Sequence, residues 1–143
     1  MAKRKKAAVP KARVAVVEDS SEVLYSLSFI LQSLGLATTV LDPATEIARP
    51  LQELQPDIVV VDMMVSLQRG LASVRQARRI LGPQTRIVAI SADAVPYVPE
   101  EIRQAGADAV LMKPYTVPEL QAALGIAGEA FSGHDTQDRA AHS

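Results

Sequence analysis

Four consecutive β-branched residues, Ile58-Val59-Val60-Val61, run directly into Asp62. An unbroken run of this kind predicts a strand buried on both faces, as in the middle of a parallel sheet. In open α/β sheets the ligand crevice lies outside the carboxyl ends of the strands, so Asp62 is expected at a functional edge. A carboxylate there must be hydrated, paired or bound to a cation, because burying it alone is costly.

The rest of the chain alternates strand and helix patterns around that run. Arg13-Val14-Ala15-Val16-Val17 predicts a first strand, ending in Glu18-Asp19. Asp19, with Glu22 three residues on, has the form of a capping box. Val23, Leu24, Leu27, Ile30, Leu31 and Leu34 then recur at helical spacing up to Gly35. Leu36 to Leu41 predicts a second strand. Asp42-Pro43 is expected to open a second helix reaching about Gln55, kinked or shortened by Pro50. After Asp62 a loop over Met63 to Arg69 precedes a third helix with Leu71, Val74, Arg78 and Leu81 on one face, stopped by Gly82-Pro83. Arg86 to Ile90 predicts a fourth strand running into Ser91-Ala92, and Pro99 to Ala105 a short fourth helix. Ala109 to Met112 predicts a fifth strand, ending at Lys113-Pro114. Thr116 and Glu119 form a capping box for a last helix that could reach Phe131. Five βα units imply a doubly wound parallel sheet with right-handed crossovers, here of strand order 2-1-3-4-5.

Composition narrows the function. The 143 residues suffice for one domain with a core, and no apolar run is long enough to span a bilayer. The chain contains no cysteine, which excludes disulfides and thiolate metal sites and suits a cytoplasmic protein. Its two histidines, His134 and His142, lie in the polar tail, leaving little from which to build a catalytic triad. Six of the 15 basic residues fall within residues 1–13, leaving nine against 16 acids, a net of −7 for the remainder. An acidic body argues against nucleic-acid binding by the fold itself. Residues 1–11 are expected to be a disordered basic arm, 12–131 the folded domain and 132–143 a flexible polar tail. No DNA-binding or catalytic output domain is expected after the fifth helix.

The strand ends carry the chemistry. The first delivers Glu18 and Asp19, the third Asp62, the fourth Ser91 and the fifth Lys113. In the order 2-1-3-4-5, strands 1 and 3 meet at the switch point, which brings three carboxylates together. They would repel one another unless a cation sat among them. All-oxygen ligands suit a hard ion such as Mg²⁺. Lys113 and Ser91 add an ammonium and a hydroxyl, the groups a phosphoryl needs. A carboxylate can itself be the nucleophile toward phosphorus.

With Val16-Val17-Glu18-Asp19, Ile58 to Asp62, Ser91-Ala92, Gly106-Ala107-Asp108 and Lys113-Pro114 in this order, residues 12–125 resemble the CheY-like receiver domains of two-component response regulators. The resemblance implies a flavodoxin-like fold phosphorylated on Asp62 by a sensor histidine kinase. It implies Mg²⁺ held by Asp19, Asp62 and the backbone carbonyl of Met64, with Glu18 acting through water. Ser91 and the Ala92 amide would hold phosphoryl oxygens, Lys113 would pair with the phosphate, and Lys113-Pro114 would be cis. The phosphorylated domain would dock on a target protein, pass phosphate to a histidine phosphotransfer protein, or dimerise.

Three positions depart from the family pattern. Ser66 stands where Pro is usual in the loop after the acceptor, Glu18 where Asp is commoner, and Val110 where the fifth strand usually carries an aromatic. That aromatic is the family's partner to Ser91 in switching, so the switch here is expected to run through Ser91 and the 91–99 segment instead. Tyr97 and Tyr115 are expected to be partly exposed. A degenerate receiver that never accepts phosphate is the alternative within the class, opposed by Asp62, Ser91 and Lys113. A small aspartyl-phosphate phosphohydrolase usually needs a second Asp two residues after the nucleophile, and Met64 stands there. No Gly-rich phosphate loop follows the first strand, which speaks against a nucleotide-binding module.

Overall fold

The computed structural model describes residues 11–126 apart from 19, 64–66, 94, 96 and 97, and, within that range, all side chains except those of residues 21, 67 and 68. The elements are β1 (Arg13–Val17), α1 (Ser21–Ser33), β2 (Ala37–Leu41), α2 (Ala48–Leu54), β3 (Ile58–Asp62), α3 (Leu67–Leu81), β4 (Arg86–Ser91), α4 (Pro99–Ala105), β5 (Ala109–Met112) and α5 (Val117–Leu124). All neighbouring strands pair in parallel, in the order β2-β1-β3-β4-β5. This is the flavodoxin-like doubly wound sheet expected from the alternation of strand and helix patterns.

Strand periodicity divides the core in two. Ala15 and Val17 of β1, Val59 and Val61 of β3, and Ile87 and Ala89 of β4 face a cluster closed by Leu51 of α2, Leu71, Val74 and Ala77 of α3, and Ile102 of α4. Their alternates Val14, Val16, Ile58, Val60, Val88 and Ile90 face a second cluster closed by Leu27 and Leu31 of α1 and Leu120, Ala123 and Leu124 of α5. Every residue of β3 is buried. Each such aliphatic side chain contributes about 1.5–3 kcal/mol of hydrophobic stabilisation.

Several element boundaries differ from the sequence expectation. The N-cap of α1 is Ser20, not Asp19: the Ser20 hydroxyl accepts from the Val23 amide at 3.4 Å. Asp19 itself lies outside the described residues. Asp42 opens a turn rather than a helix, its carboxylate accepting from the Ala44 amide at 2.9 Å. The helix begins only at Ala48, which puts Pro50 in its first turn, where a missing N–H costs nothing. α3 begins at Leu67, earlier than expected. Gly70 lets this helix lie close on the chain just after Asp62, since a Cβ there would stand 3.2 Å from Met63 Cα. α5 ends at Leu124 because Gly125 adopts the left-handed conformation, φ +76°, that closes helices. Phe131 lies outside the described residues.

The ends of the sheet are tied differently. At the amino end of β4, one Arg78 side chain holds three carbonyls: Gly106 at 3.0 and 2.8 Å, and Gly82 and Thr85 at 2.8 Å each. It also pairs with Asp108 at 2.7 Å, and the same Asp108 oxygen accepts from the Ile87 amide at 2.8 Å. The Gly-Ala-Asp triplet is thus a structural latch. Gly106, at φ +132°, has no room for a Cβ, which would lie 2.8 Å from Arg78 Cβ.

Candidate functional site

The carboxyl end of the sheet gathers the polar residues that the strand-end reading singled out. Val17 pairs with Val61, so Glu18 and Asp62 follow on adjacent strands. Both are buried, Glu18 at 3 % and Asp62 at 0 % exposure. Two carboxylates withdrawn from water on neighbouring strands require positive charge or donors close by. Lys113, directly after β5, reaches across to Asp62, its ammonium donating to Oδ2 at 2.9 Å. The Ser20 amide donates to Glu18 at 2.8 Å, so the α1 cap and the Glu18 carboxylate are set together.

Ser91, the last residue of β4, is also buried, at 1 % exposure. Its carbonyl accepts from the Lys113 amide at 2.8 Å. Lys113 therefore touches two strand ends, β4 through its backbone and β3 through its side chain. Ala92 follows on the loop, half-buried. The Lys113-Pro114 peptide is cis. Val110 lies one layer down on β5, partly buried against the α2–α3–α4 side of the core. Asp19, Met64 and Ser66 lie outside the described residues, as do Pro96 and Tyr97.

Among the described residues, no group of three acidic, histidine or cysteine side chains is placed to hold a metal. The donor set that is described fits a hard dication in kind: two buried carboxylates on adjacent strands faced by one ammonium, with no nitrogen or sulfur ligand.

One neighbour of the site was not assigned to it from the sequence. Tyr115 is half-buried against the α1–α5 side of the core. Burial raises its phenol above the ordinary value of 10.0, and the negative charge of Asp62 pushes the same way. The only sequence signal was its position two residues after Lys113. The folded chain keeps this phenol protonated to higher pH than the unfolded chain does. Its contribution to stability is therefore complete below about pH 10 and is lost as pH rises through the folded-state value. In a series of urea titrations, Tyr115→Phe should flatten the alkaline fall in stability, and Asp62→Asn should lower the phenol only in part, because burial is the larger cause. An unchanged alkaline limb in Tyr115→Phe would contradict this placement.

A doubly wound sheet with its acids, lysine and serine collected at the switch point has the form of the flavodoxin-like signalling modules that carry phosphate on a carboxylate. The chain belongs to that group: the family described as "Response regulator receiver domain" matches residues 14–125. Receiver domains are phosphoacceptor modules of two-component signal transduction, not conventional enzymes, and they work with sensor histidine kinases. The DNA-binding response regulator MtrA of Mycolicibacterium paratuberculosis is 30% identical over 112 residues, covering 78% of this chain and 49% of MtrA. The chain thus spans about half the length of such curated relatives. Among solved structures, the receiver domain of sensor histidine kinase PA1611 from Pseudomonas aeruginosa, described with magnesium in its active-site cleft, is 26% identical. It has a TM-score of 0.69, over 80% of this chain and 95% of that one. The Vibrio cholerae chemotaxis protein CheY4, at 24% identity and TM-score 0.69 over 80% of this chain and 97% of its own, shares the fold. Among the described residues, no helix is long and apolar enough to cross a membrane.

Proposed function

We propose that this receiver accepts a phosphoryl group on Asp62 from the phosphohistidine of a sensor kinase. The observation that carries the reading is the 2.9 Å pair between the Lys113 ammonium and the fully buried Asp62 carboxylate at the carboxyl end of β3. A carboxylate oxygen of Asp62 forms a bond to phosphorus as the phosphorus–nitrogen bond breaks. The electron pair returns to the imidazole nitrogen of the donor. Lys113 offsets charge on the transferred group, and Ser91 and the Ala92 amide donate to its oxygens. Asp19, Asp62 and the Met64 carbonyl would hold Mg²⁺, with Glu18 acting through water. The ion would supply further charge neutralisation.

The test is incubation of the chain with Mg²⁺ and acetyl phosphate, followed by intact mass. A gain of one phosphoryl mass that is lost in EDTA supports the reading. No gain at any Mg²⁺ concentration would mark a receiver that works without phosphate. Asp19→Asn is expected to weaken Mg²⁺ binding at least tenfold, about 1.4 kcal/mol, in a metal titration. Unchanged affinity would remove Asp19 from the ligand set.

The phosphorylated form signals by docking on a protein target or by passing its phosphate to a histidine phosphotransfer protein. Phosphate shifts the population only through contacts that differ between two states. Val110 has no ring to turn inward and is stiff about χ1, so the shift runs through the Ser91 hydroxyl and the 91–99 segment into α4. Amide hydrogen exchange with and without beryllofluoride, a phosphate mimic, should change chiefly within residues 91–105. Ser91→Ala should abolish that change while Asp62 still takes up phosphate. A difference confined to β5 would contradict the route.

A further inference from the structure

Arginine is spread unevenly over the folded part of the chain. Residues 63–92 carry Arg69, Arg75, Arg78, Arg79 and Arg86 and none of the 16 acids. Outside that stretch and residues 1–13, four basic residues share the chain with all 16 acids. Four of the five arginines lie on α3, which contains no acidic residue. Leu71, Val74 and Ala77 of this helix face the core. Arg78 is engaged in the latch on Gly82, Thr85, Gly106 and Asp108. Arg69, Arg75 and Arg79 are exposed, and Ala72 is exposed between them. Helical geometry places the three arginines within about a third of the circumference, spanning about 15 Å along the axis. Among the described residues, none of the three guanidiniums joins an ion pair. The flanking helices do not neutralise them. Glu100 and Glu101 of α4 accept from Gln104 and from the Val98 amide at their own helix. Arg69 also stands in the first turn, where the positive end of the helix dipole disfavours a cation.

We propose that the outer face of α3 binds an acidic peptide segment of a partner protein, its carboxylates held by Arg69, Arg75 and Arg79. The sign of the charge identifies the occupant as an anion: three exposed cations share a face on which no acid stands. Residue type narrows it. All three are arginine, whose planar fork meets a carboxylate through two parallel hydrogen bonds, where a lysine is a point charge. Spacing suits side chains on one edge of a peptide. The arginines succeed one another at about 9 Å and about 6 Å along the axis, and the small side chain of Ala72 lets a second backbone come close between them. Nucleic acid fits less well. Single strands are held by aromatic stacking as well as charge, and none of the exposed residues described on α3 is aromatic. A long polyanion would also run from this face onto the acidic remainder of the body. Exposed ion pairs are individually weak and screened by salt, so the complex is weak and salt-dependent. An anion bound at Arg69 offsets the unfavourable placement of that residue at the helix start.

The test is a titration of the isotope-labelled full chain, followed by its amide NMR shifts. The probes are a capped peptide of repeated Glu-Ala-Ala-Glu units, the same peptide with Gln for every Glu, and single-stranded oligothymidylate. The acidic peptide should saturate with a Kd between about 10 μM and about 1 mM, move the amides of residues 69–79, and release as salt is raised. The Gln peptide should not bind. The triple variant Arg69→Gln, Arg75→Gln, Arg79→Gln should lose at least about tenfold in affinity. Lys3→Gln, Lys5→Gln, Lys6→Gln in the basic arm should leave it unchanged. A cooperative melt shows that the triple α3 variant is folded. Its acetyl phosphate labelling tests the phosphoacceptor reading separately, since none of the three arginines belongs to that site. No binding of the acidic peptide at about 1 mM overturns the proposal. So do shifts centred on residues 1–11, or affinity undiminished in the triple α3 variant. Tighter binding of oligothymidylate to the same amides assigns the face to nucleic acid and overturns it equally. Self-association that disappears in the triple α3 variant assigns it to a second copy, with the same consequence.

Discussion

Asp62→Asn is expected to remain folded and to lose phosphoryl uptake by at least about 10³-fold, roughly 4 kcal/mol of transition-state stabilisation. The substitution is nearly isosteric and still offers an oxygen to the Lys113 ammonium, which now sits 2.9 Å from the carboxylate. It removes the anion proposed as the nucleophile, and an amide oxygen does not take its place. The nearest buried alternative described, Glu18, accepts from the Ser20 amide and ends a different strand. Intact mass after incubation with Mg²⁺ and acetyl phosphate reads the result. Labelling of the variant at the wild-type rate would move the acceptor elsewhere, and Glu18 would then be the first site to map.

Arg78→Ala should produce the largest loss of stability from a side chain remote from phosphate chemistry, about 3 kcal/mol. The guanidinium serves the carbonyls of Gly82, Thr85 and Gly106 and the carboxylate of Asp108. Its side chain is only 23% exposed, so water replaces it incompletely. Removing it also leaves a gap beside Gly106, whose backbone is shaped to its stem. A melting point lower by about 10–15 °C in a circular-dichroism scan corresponds to that loss. Arg78→Lys should recover less than half of it, because an ammonium cannot span three carbonyls and a carboxylate in one plane. A change within about 0.5 kcal/mol for Arg78→Ala would mean that the latch is solvated and contributes nothing.

Legibility in the sequence followed the length scale of the interaction. The β-branched run at 58–61 and the alternation of strands with helices identified the sheet, because a strand buried on both faces admits few other residues. The Thr116–Glu119 capping box was readable because all its atoms lie within four residues, and it forms with bonds of 2.8 and 3.2 Å. The start of α2 was misread because Asp42-Pro43 satisfies a helix-start pattern and a turn equally well. The choice is made by the Asp42 carboxylate, which folds back on the Ala44 amide. Ser20 and Asp19 are both good caps in isolation. The cap falls to Ser20, whose own amide is drawn to Glu18. Lys113 at the site was legible only through its place at a strand end, and its bond to Asp62 joins residues 51 positions apart. The latch at Arg78 was half-legible. An arginine on the apolar face of a helix needs partners, yet nothing local names the Gly106 carbonyl 28 residues on.

Lys113 and Arg78 sit at opposite ends of the same sheet, and this separates two kinds of heritable change. Substitutions around Arg78, Gly106 and Asp108 alter how much of the chain is folded while leaving the Asp62 pocket as it is. Substitutions around Ser91 and Lys113 instead alter the edge where β3, β4 and β5 are joined through one residue's backbone and side chain, the edge at which we propose the phosphoryl group is received. A lineage carrying this domain can therefore drift in signalling chemistry without eroding its thermal tolerance. In a library of single variants, melting temperature and phosphate half-life should vary almost independently, with the two ends of the sheet forming the two axes.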